Sequence, residues 1–350
     1  MRVGINGFGR IGRTLARVLW HRGRHSVVHV NDLHTDAENF AYLLRNDSNY
    51  GRFPARVVAT EYRLSVGGEG REWDIRLSSA ADTRRAGWAH SGAEVVIEAT
   101  GTDTNQAGCR DYLGDGIGWA IITHTSMHAD ATVVFGVNED QFDPARSQVL
   151  STSICDACAM APIFRVLADQ FGIEHGFLTT LHPWLGYQNL LDGPVRSRSQ
   201  PGAFFPDFAL GRASAGCLIP KSTTAGAAVA DLVEGLRGRI TSLSYRVPTA
   251  AVCYGNVAAV LRRDTTTPVV LAALRRELPG VVRFYDEPLV STDLIGESAS
   301  AAVDVRWVTV EAGRFLGISA GYDNEWGYCS RVADVIDRLV ASNPTPPQTP

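Results

Sequence analysis

The sequence predicts an α/β protein of two parts, in which βαβ units form a parallel sheet and a largely antiparallel sheet with a few helices follows. Three observations predict it. Short apolar runs alternate with helical stretches through the first 150 residues, and the later runs are longer and alternate in polarity. The chain also has 350 residues, 45% hydrophobic and 20% charged, which allows two domains and excludes the disordered and fibrous classes.

The first part is expected to alternate strands with helices. Helices begin at Arg10 and near Asp36, where apolar residues recur at helical spacing. The strand-forming runs are RVGING, VVHVND, AEVVIEAT, WAIITH and TVVFGV. Strands separated by helices pair in parallel, so these runs predict one parallel sheet.

The second part is expected to form a sheet with mainly antiparallel pairs. Its runs with strand periodicity are 176–182, 240–247, 252–261, 301–310 and 315–320, and the short segment EAGR at 311–314 joins the last two as a hairpin. Residues 192–220 follow neither period and predict a long ordered loop near the functional site. Residues 343–350, NPTPPQTP, predict a disordered tail.

Charge and composition exclude several classes of partner. Lys and Arg number 33 against 37 Asp and Glu, so a net charge of -4 leaves no basic excess for nucleic acid. The N-terminal MRVGINGFGRIGR has charge and glycine where a secretory signal needs an apolar core, and no apolar run could span a bilayer. We therefore expect a cytoplasmic protein with reduced cysteines and no membrane partner. Its only lysine, Lys221, predicts no function by itself.

A glycine-rich turn after the first strand predicts a dinucleotide site. Gly7-Phe8-Gly9-Arg10-Ile11-Gly12 has the spacing GxGxxG, and Asp32 follows the next strand. The glycines let a pyrophosphate approach the helix N-terminus, and the carboxylate of Asp32 accepts hydrogen bonds from the adenosine ribose. The same carboxylate repels a 2′-phosphate, so NAD is favoured over NADP. Thr100 and Gly101 end the strand AEVVIEAT and either meet the cofactor again or form an ordinary turn.

One cysteine and one histidine suggest a nucleophile and its base. The segment STSICDACAMAP at 151–162 places Cys155 at the start of a helix predicted to reach about Gln170. A helix N-terminus lowers the pKa of a thiol, and His182, which ends the strand GFLTTLH, can take the proton of a nearby thiol. A buried structural cysteine and a backbone-bonded histidine are the commoner outcome of such spacing, so both explanations stay open.

The sequence predicts no metal site. Cys155 and Cys158 spell CxxC, and His124 and His128 offer two further ligands, but nothing in the sequence brings the two pairs together. The helix after Cys155 is expected to bury Cys158 as packing instead.

These motifs together resemble the glyceraldehyde-3-phosphate dehydrogenase family over roughly residues 3–339. In family order the chain has VGINGFGRIGR, ND at 31–32, GAEVVIEATG, TVVFGVN, the Cys155 helix with AP, TTLH, LDGP, YRVPTA and YDNEWGY. The resemblance implies a Rossmann, doubly wound NAD-binding domain at 1–152 and a mixed α/β catalytic domain at 153–324. It also implies a C-terminal helix at about 325–341 that packs back on the first domain, and a homotetramer.

The resemblance also implies the chemistry and the site residues. Cys155 becomes the nucleophile that attacks an aldehyde, and His182 becomes the base. The hemithioacetal passes hydride to NAD and leaves an acyl-thioester that a second nucleophile releases. The cofactor groove is then lined by Arg10, Ile11, Asp32, Thr100 and Thr123, with Asn324 on the nicotinamide carboxamide and Tyr328 beside it.

The chain departs from the family next to the nucleophile. Family members have SCTTNC there, and the serine and first threonine help to hold the attacking phosphate; here they are Ile154 and Asp156. Two unit charges ~5 Å apart at an effective dielectric of ~20 repel by about 3 kcal/mol, so Asp156 is expected to exclude phosphate. It is also expected to raise the pKa of Cys155 unless His182 is protonated. The alternative is that Asp156 points into solvent and only complements the helix N-terminus.

Other positions that hold phosphate in the family are also changed. The resemblance places Leu185 and Tyr187 where the family has two threonines and Thr224 where it has a glycine, whereas Thr223 and Arg246 are kept. We expect these residues to line the substrate pocket. One arginine and one threonine leave few side-chain donors to bind two phosphate groups.

Three functional hypotheses follow. The first is an NAD-dependent aldehyde dehydrogenase of this type that acts on a small aldehyde without phosphate and releases its thioester to water or another nucleophile. An amine-bearing or apolar aldehyde would suit the changed positions. The second is an authentic phosphorylating glyceraldehyde-3-phosphate dehydrogenase with rebuilt anion sites. The third is a catalytically silent NAD-binding regulatory protein, against which the presence of both Cys155 and His182 argues.

Overall fold

The computed structural model describes residues 1–33 and 36–342, and the chain divides into two compact units. Unit 1 contains Met1–Val133, Gln141–Thr152 and the chain from Cys329 onward, and unit 2 contains Val134–Asp140 and Ser153–Tyr328. The tail expected at 343–350 lies outside the described residues. Within the described ranges, no helix has the length and apolar character needed to cross a membrane.

Unit 1 is built around a mostly parallel sheet. Its strands are β1 (Arg2–Asn6), β2 (Ser26–Asn31), β3 (Asn46–Asp47), β4 (Gly51–Arg52), β5 (Arg56–Thr60), β6 (Arg63–Gly68), β7 (Arg71–Ser78), β8 (Val95–Glu98), β9 (Trp119–Ile122), β10 (Ala131–Thr132) and β11 (Val149–Ser151). Among the described residues the main sheet has the order β10-β11-β9-β8-β1-β2-β7-β6-β5. The pairs from β10 to β7 are parallel, and the pairs of the β5-β6-β7 meander are antiparallel.

Unit 1 contains the two helices that the sequence predicts, and a short third helix that it does not. They are α1 (Arg10–Arg22), α2 (Ala37–Arg45) and α3 (Asp103–Ala107). The helix α1 ends at Gly23, whose φ of 68° is left-handed and suits glycine. The side chain of Asp36 caps α2 by accepting a hydrogen bond from the Asn39 N–H at 2.8 Å.

Two details of unit 1 differ from the prediction. The β5-β6-β7 meander was missed, because its strands lie at the sheet edge and alternate with charged residues instead of helices. The run TVVFGV was predicted as a strand, but only Ala131–Thr132 pairs in the sheet. The chain turns after that because the N–H of Val134 donates to the side chain of Asn138 at 2.8 Å and Gly136 takes a φ of +82°.

The turn at residues 134–140 belongs to unit 2, although the sequence analysis assigns it to the first domain. A Cβ on Gly136 would be 3.0 Å from Pro162 and from Val281, so the turn packs closely on unit 2. The guanidinium Nε of Arg165 also donates to the Gly136 carbonyl oxygen at 2.6 Å. These contacts explain the reassignment.

Unit 2 holds a second, mixed sheet. Its strands are β12 (Ile173–Pro183), β13 (Ile219–Lys221), β14 (Ile240–Val247), β15 (Cys253–Leu261), β16 (Val282–Tyr285), β17 (Ala301–Asp304), β18 (Thr309–Glu311) and β19 (Phe315–Tyr322). Among the described residues the order is β13-β14-β12-β15-β19-β17-β16, and β18 pairs with β19. The β12-β14 and β16-β17 pairs are parallel and the others antiparallel, and the hairpin at 311–314 is confirmed.

The helices of unit 2 cover this sheet and bury its core. They are α4 (Cys155–Phe171), α5 (Ala225–Leu232) and α6 (Thr267–Glu277), and α7 (Trp326–Ser342) closes the described chain. The core of the unit includes Met160, Phe164 and Leu167 of α4. Pro162 lies inside α4 and not in its first turn. The predicted run at 301–310 is broken, because the Asp304 carboxylate accepts from the Arg306 N–H at 3.0 Å and starts a short turn.

Candidate active site

The first group of candidate residues lies in unit 1, at the turn between β1 and α1. Gly7 has a φ of +94°, and a Cβ there would be 2.7 Å from the backbone of Ala99. A Cβ on Gly12 would be 2.1 Å from the carbonyl oxygen of Gly7, so neither position accepts a side chain. A Cβ on Gly9 would meet nothing within 4 Å, and no side chain caps α1. The open space at Gly9 therefore fits a pyrophosphate on the helix N-terminus.

The other cofactor candidates of unit 1 lie at the same sheet edge, because β9, β8, β1 and β2 are neighbouring parallel strands. Asp32 accepts a hydrogen bond from the N–H of Phe8 at 2.7 Å, which places its carboxylate beside the glycine turn. The N–H of Thr100 donates to the Glu98 carboxylate at 2.8 Å, and the hydroxyl of Thr123 donates to the Glu98 carbonyl oxygen at 2.9 Å.

Three further cofactor candidates have distinct surroundings. The guanidinium of Arg10 is paired with Asp47 at 2.5 Å. The carbonyl oxygen of Ile11 accepts a hydrogen bond from the Cys329 thiol at 3.5 Å, inside unit 1. Gly101 has a φ of +73°, and a Cβ there would meet nothing within 4 Å. The structure therefore brings the unit 1 candidates to one edge and leaves open space at Gly9 and Gly101.

A substitution at Asp32 tests the cofactor preference. We expect Asp32→Asn to lower the ratio of kcat/KM with NAD to that with NADP by about 10- to 100-fold, because the charge that repels a 2′-phosphate is gone. The amide oxygen can still accept from Phe8, so the turn keeps its bond. Asp32→Gly removes both the charge and the hydrogen bond from Phe8, and should lower the ratio of NAD to NADP efficiency at least as far. An unchanged ratio in both variants would show that Asp32 does not select the cofactor.

The second group lies in unit 2 around Cys155, the first residue of the 17-residue helix α4. Its Sγ is 3.8 Å from Nε2 of His182, which lies near the end of β12. The other ring nitrogen of His182, Nδ1, is 2.8 Å from the carbonyl oxygen of Pro183. A carbonyl only accepts, so Nδ1 carries the hydrogen and Nε2 of the neutral ring can accept the thiol proton.

Both groups are neutral at rest. Burial raises the pKa of the Cys155 thiol, and the neighbouring Asp156 carboxylate raises it further. Burial and the Arg246 cation lower the pKa of His182 to about 4. The Asp156 N–H at the helix N-terminus does lower the thiol pKa, as expected, but burial and the Asp156 carboxylate outweigh it and the net shift is upward. Asp156 raises the pKa of the Cys155 thiol, as the sequence analysis expects.

The raised thiol pKa gives a prediction for pH dependence. Only the thiolate reacts with iodoacetamide, so we expect labelling of Cys155 to accelerate about tenfold per pH unit from about pH 6 into the alkaline range. His182, with its pKa of about 4, should add no inflection in this range. Peptide mapping after timed labelling separates Cys155 from the partly exposed Cys217. A rate that has already reached its plateau at about pH 6 would contradict the raised pKa.

Asp156 turns its carboxylate towards the sulfur of Cys155. Its Oδ1 is 3.7 Å from Sγ of Cys155 and accepts a hydrogen bond of 2.6 Å from the hydroxyl of Tyr322. The residue is only 6% exposed, so the alternative in which Asp156 points into solvent is wrong. Sequence reasoning missed Tyr322, and its one signal was a place in the YDNEWGY motif. The result is a fixed, buried carboxylate beside Sγ of Cys155.

Arg246 lies opposite His182 in the register of β12 and β14, so it is the cation of the sheet nearest to the Cys155–His182 pair. It is 6% exposed, and its Nη2 donates to the hydroxyl of Tyr187 at 3.4 Å. Its Nε is buried without a hydrogen-bond partner among the described residues. The ring of Tyr187 packs against Phe205 with centroids 5.2 Å apart. Tyr187 therefore supports Arg246 and also belongs to an apolar cluster.

The remaining substrate candidates offer little hydrogen bonding. Leu185 is half-buried, and its backbone N–H donates to the Gln188 side chain at 2.9 Å. The hydroxyl of Thr223 accepts from the N–H of Ala225 at 3.2 Å. Thr224 precedes α5 and makes no capping bond with its side chain. Thr223 is thus partly used by the turn into α5.

Asn324 and Tyr328 each hold a strained backbone position. The amide oxygen of Asn324 accepts from the N–H of Val252 at 3.1 Å, and Val252 has a φ of +68°. The hydroxyl of Tyr328 donates to the carbonyl oxygen of Ser153 at 3.1 Å, and Ser153 has a φ of +58°. Such angles are costly for residues other than glycine and cluster at functional sites. The Tyr328 bond therefore fixes the chain two residues before Cys155, and the sequence indicated neither bond.

Comparison with known proteins identifies the family. Residues 1–106 match the family model described as glyceraldehyde 3-phosphate dehydrogenase, NAD binding domain, and residues 154–324 match its C-terminal domain. The chain belongs to the glyceraldehyde-3-phosphate dehydrogenase family. The resemblance found in the sequence and the Rossmann plus mixed α/β fold are thereby confirmed.

Curated relatives with this name are similar over nearly the full chain. Glyceraldehyde-3-phosphate dehydrogenase 1 of Bacillus cereus is 36% identical over 95% of this chain and 97% of its own length. Glyceraldehyde-3-phosphate dehydrogenase 1 of Bacillus subtilis is 37% identical over 96% and 97%, respectively. The cytosolic enzyme of Chlamydomonas reinhardtii is 35% identical over 96% and 95%. This family member is therefore an NAD-dependent oxidoreductase of the glyceraldehyde-3-phosphate dehydrogenase type.

Proposed function

We propose that this family member oxidises an aldehyde through an acyl-thioester on Cys155. The observation that carries the proposal is the 3.8 Å separation between Sγ of Cys155 and the unprotonated Nε2 of His182, at the N-terminus of α4. NAD, when bound, would supply the hydride acceptor. Open space at Gly9 and the carboxylate of Asp32 support its binding.

The side chains of unit 2 account for the proton and charge movements. Nε2 of His182 takes the thiol proton while Sγ attacks the aldehyde carbon. The backbone N–H of Cys155, the first residue of α4, stabilises the oxyanion together with the protonated Nε2–H. Loss of hydride from that carbon leaves the thioester. A second nucleophile then attacks the carbonyl, and Sγ leaves and recovers its proton.

Glyceraldehyde 3-phosphate is the first candidate substrate, with inorganic phosphate as the acceptor. The names of the relatives favour this authentic phosphorylating activity more than an aldehyde without phosphate. In the site, Arg246 supports it with a buried Nε that lacks a partner among the described residues, and Thr223 supports it with a half-buried hydroxyl.

A small aldehyde without phosphate, released to water or another nucleophile, is the second candidate. One observation favours it, the inward carboxylate of Asp156 at 3.7 Å from Sγ. Leu185 and Tyr187 stand where the resemblance places two threonines, so those two hydroxyls are missing from the pocket. A phosphate that approaches the thioester would meet this negative charge at close range.

Initial-rate kinetics distinguish the candidates. NADH formation from glyceraldehyde 3-phosphate that depends on added phosphate would support the first candidate and refute the second. Equal rates with and without phosphate, or a higher kcat/KM for unphosphorylated glyceraldehyde, would support the second candidate and refute the first. No NADH from a panel of aldehydes, with no iodoacetamide labelling at Cys155, would refute the catalytic proposal and support a silent NAD-binding protein.

We also propose a cytoplasmic homotetramer. Large apolar side chains are exposed on the single chain at Leu190 (71%), Leu191 (80%), Phe208 (88%) and Leu218 (67%), which supports burial against other copies. The relative named as cytosolic supports the location. Sedimentation of the purified protein tests the assembly, and a monomer at micromolar concentration would refute it.

A further inference from the structure

Lys221 is the only lysine among the 33 Lys and Arg residues of the chain. It ends β13 and is half-buried. The other residues of this set are all arginine, so the only lysine ammonium group lies at one defined place in the fold. Nothing in the cysteine and histidine chemistry described above uses it.

Strand register places Lys221 on the face of the sheet that carries the catalytic histidine. Lys221 pairs with Ser244 of β14, and Ser244 pairs with Thr180 of β12. The hydroxyl of Thr180 donates to that of Ser244 at 2.9 Å, so the two side chains share one face. Arg246 and His182 lie two residues further along the same strands. Alternate residues point to the same side, so Lys221, Arg246 and His182 share that face.

The two cations of this face lack counter-ions. Within residues 1–33 and 36–342, neither Lys221 nor Arg246 forms an ion pair, and Arg246 has a buried Nε without a hydrogen-bond partner. The nearby Asp156 carboxylate is hydrogen-bonded by Tyr322. Burial and the Arg246 cation lower the pKa of Lys221, whereas Asp156 raises it, so the three groups lie within electrostatic range. Cations that are removed from water without a counter-ion are costly unless an anion binds them.

We propose that Lys221 adds a second cation beside Arg246 and that its ammonium group binds the anionic group of the aldehyde substrate. The site would take a phosphate or carboxylate on the substrate. Lys221 then supplies a charged donor in a pocket where Leu185 and Tyr187 provide no threonine hydroxyl. This proposal rests on the proposed aldehyde oxidation and makes Lys221 a specificity-determining residue. It also reverses the expectation of an amine-bearing substrate, because an amine would meet two cations and one carboxylate.

Kinetics of variants test this assignment through the ratio of kcat/KM for glyceraldehyde 3-phosphate to that for glyceraldehyde. We expect Lys221→Met to lower the ratio by about 10- to 100-fold, the range for loss of one charged hydrogen bond, mainly through KM. Lys221→Arg should recover most of it. Arg146→Met removes a cation that is 87% exposed and should leave the ratio unchanged. An unchanged ratio in Lys221→Met would overturn the proposal.

Chemical labelling tests the same site without turnover. Pyridoxal 5′-phosphate followed by borohydride can modify only Lys221 and the N-terminal amine, because the chain has no other lysine. We expect glyceraldehyde 3-phosphate to slow labelling at Lys221 in wild-type protein, and the N-terminal amine serves as the internal control. Protection by inorganic phosphate alone, or by neither anion, would overturn the assignment to the substrate. Protection by the aldehyde in a protein that forms no NADH would support the anion site while refuting the proposed oxidation.

Discussion

Cys155→Ser is expected to reduce the rate of NADH formation by about 10⁴-fold or more. A serine hydroxyl is far less acidic and less nucleophilic than a thiol, so His182 is much less able to take its proton during attack. Without attack on the aldehyde there is no hemithioacetal from which hydride can leave. Steady-state and single-turnover measurements at saturating NAD would record the loss of the chemical step.

The matched control for this loss is NAD affinity. The glycine turn and Asp32 belong to unit 1, so Cys155→Ser should leave NAD binding nearly unchanged in a fluorescence titration. Cys217→Ser, at another partly exposed cysteine, should keep wild-type turnover. Wild-type activity in Cys155→Ser would mean that another residue is the nucleophile. Loss of both activity and NAD binding would indicate misfolding instead.

Much of the fold could be predicted from the sequence because its signals are local. The turn from β1 into α1 depends on glycines at fixed spacing, and β14 runs over Ile240–Val247 as its alternation predicts. The errors occur where tertiary contacts decide the outcome. TVVFGV has the composition of a strand, yet the bond from Val134 to Asn138 and the positive φ of Gly136 turn the chain. The β5-β6-β7 meander has no helix between its strands to mark it.

The candidate site was less predictable, because its chemistry depends on which side chains meet. Only the resemblance to the family indicated that Cys155 and His182 act together, because their spacing alone favoured structural roles for both. The pKa of Cys155 was misjudged because burial, which no sequence pattern shows, outweighs the helix dipole. The bond from Tyr322 to Asp156 joins residues far apart in the chain, and the shared face of Lys221 and Arg246 depends on strand register.

Replacing Asp156 is expected to change the response to phosphate. In Asp156→Thr we expect the phosphate concentration needed for half-maximal stimulation to fall by about 100-fold, because a repulsion of about 3 kcal/mol at ~5 Å is removed. Asp156→Asn should give a similar fall while an amide oxygen still accepts from the hydroxyl of Tyr322. The measurement is the rate of NADH formation from glyceraldehyde 3-phosphate over a phosphate series at constant ionic strength.

The same variants separate repulsion of the acceptor from activation of the thiol. The Asp156 carboxylate raises the pKa of Cys155, so both substitutions should also move the iodoacetamide profile to lower pH. If the profile moves and the phosphate response does not, then Asp156 tunes the nucleophile and does not exclude the acceptor. If neither changes, the carboxylate carries no net charge effect at Sγ, in spite of the 3.7 Å separation. A change in both would mean that one buried charge sets the reactivity of the sulfur and the nucleophile that releases its acyl group.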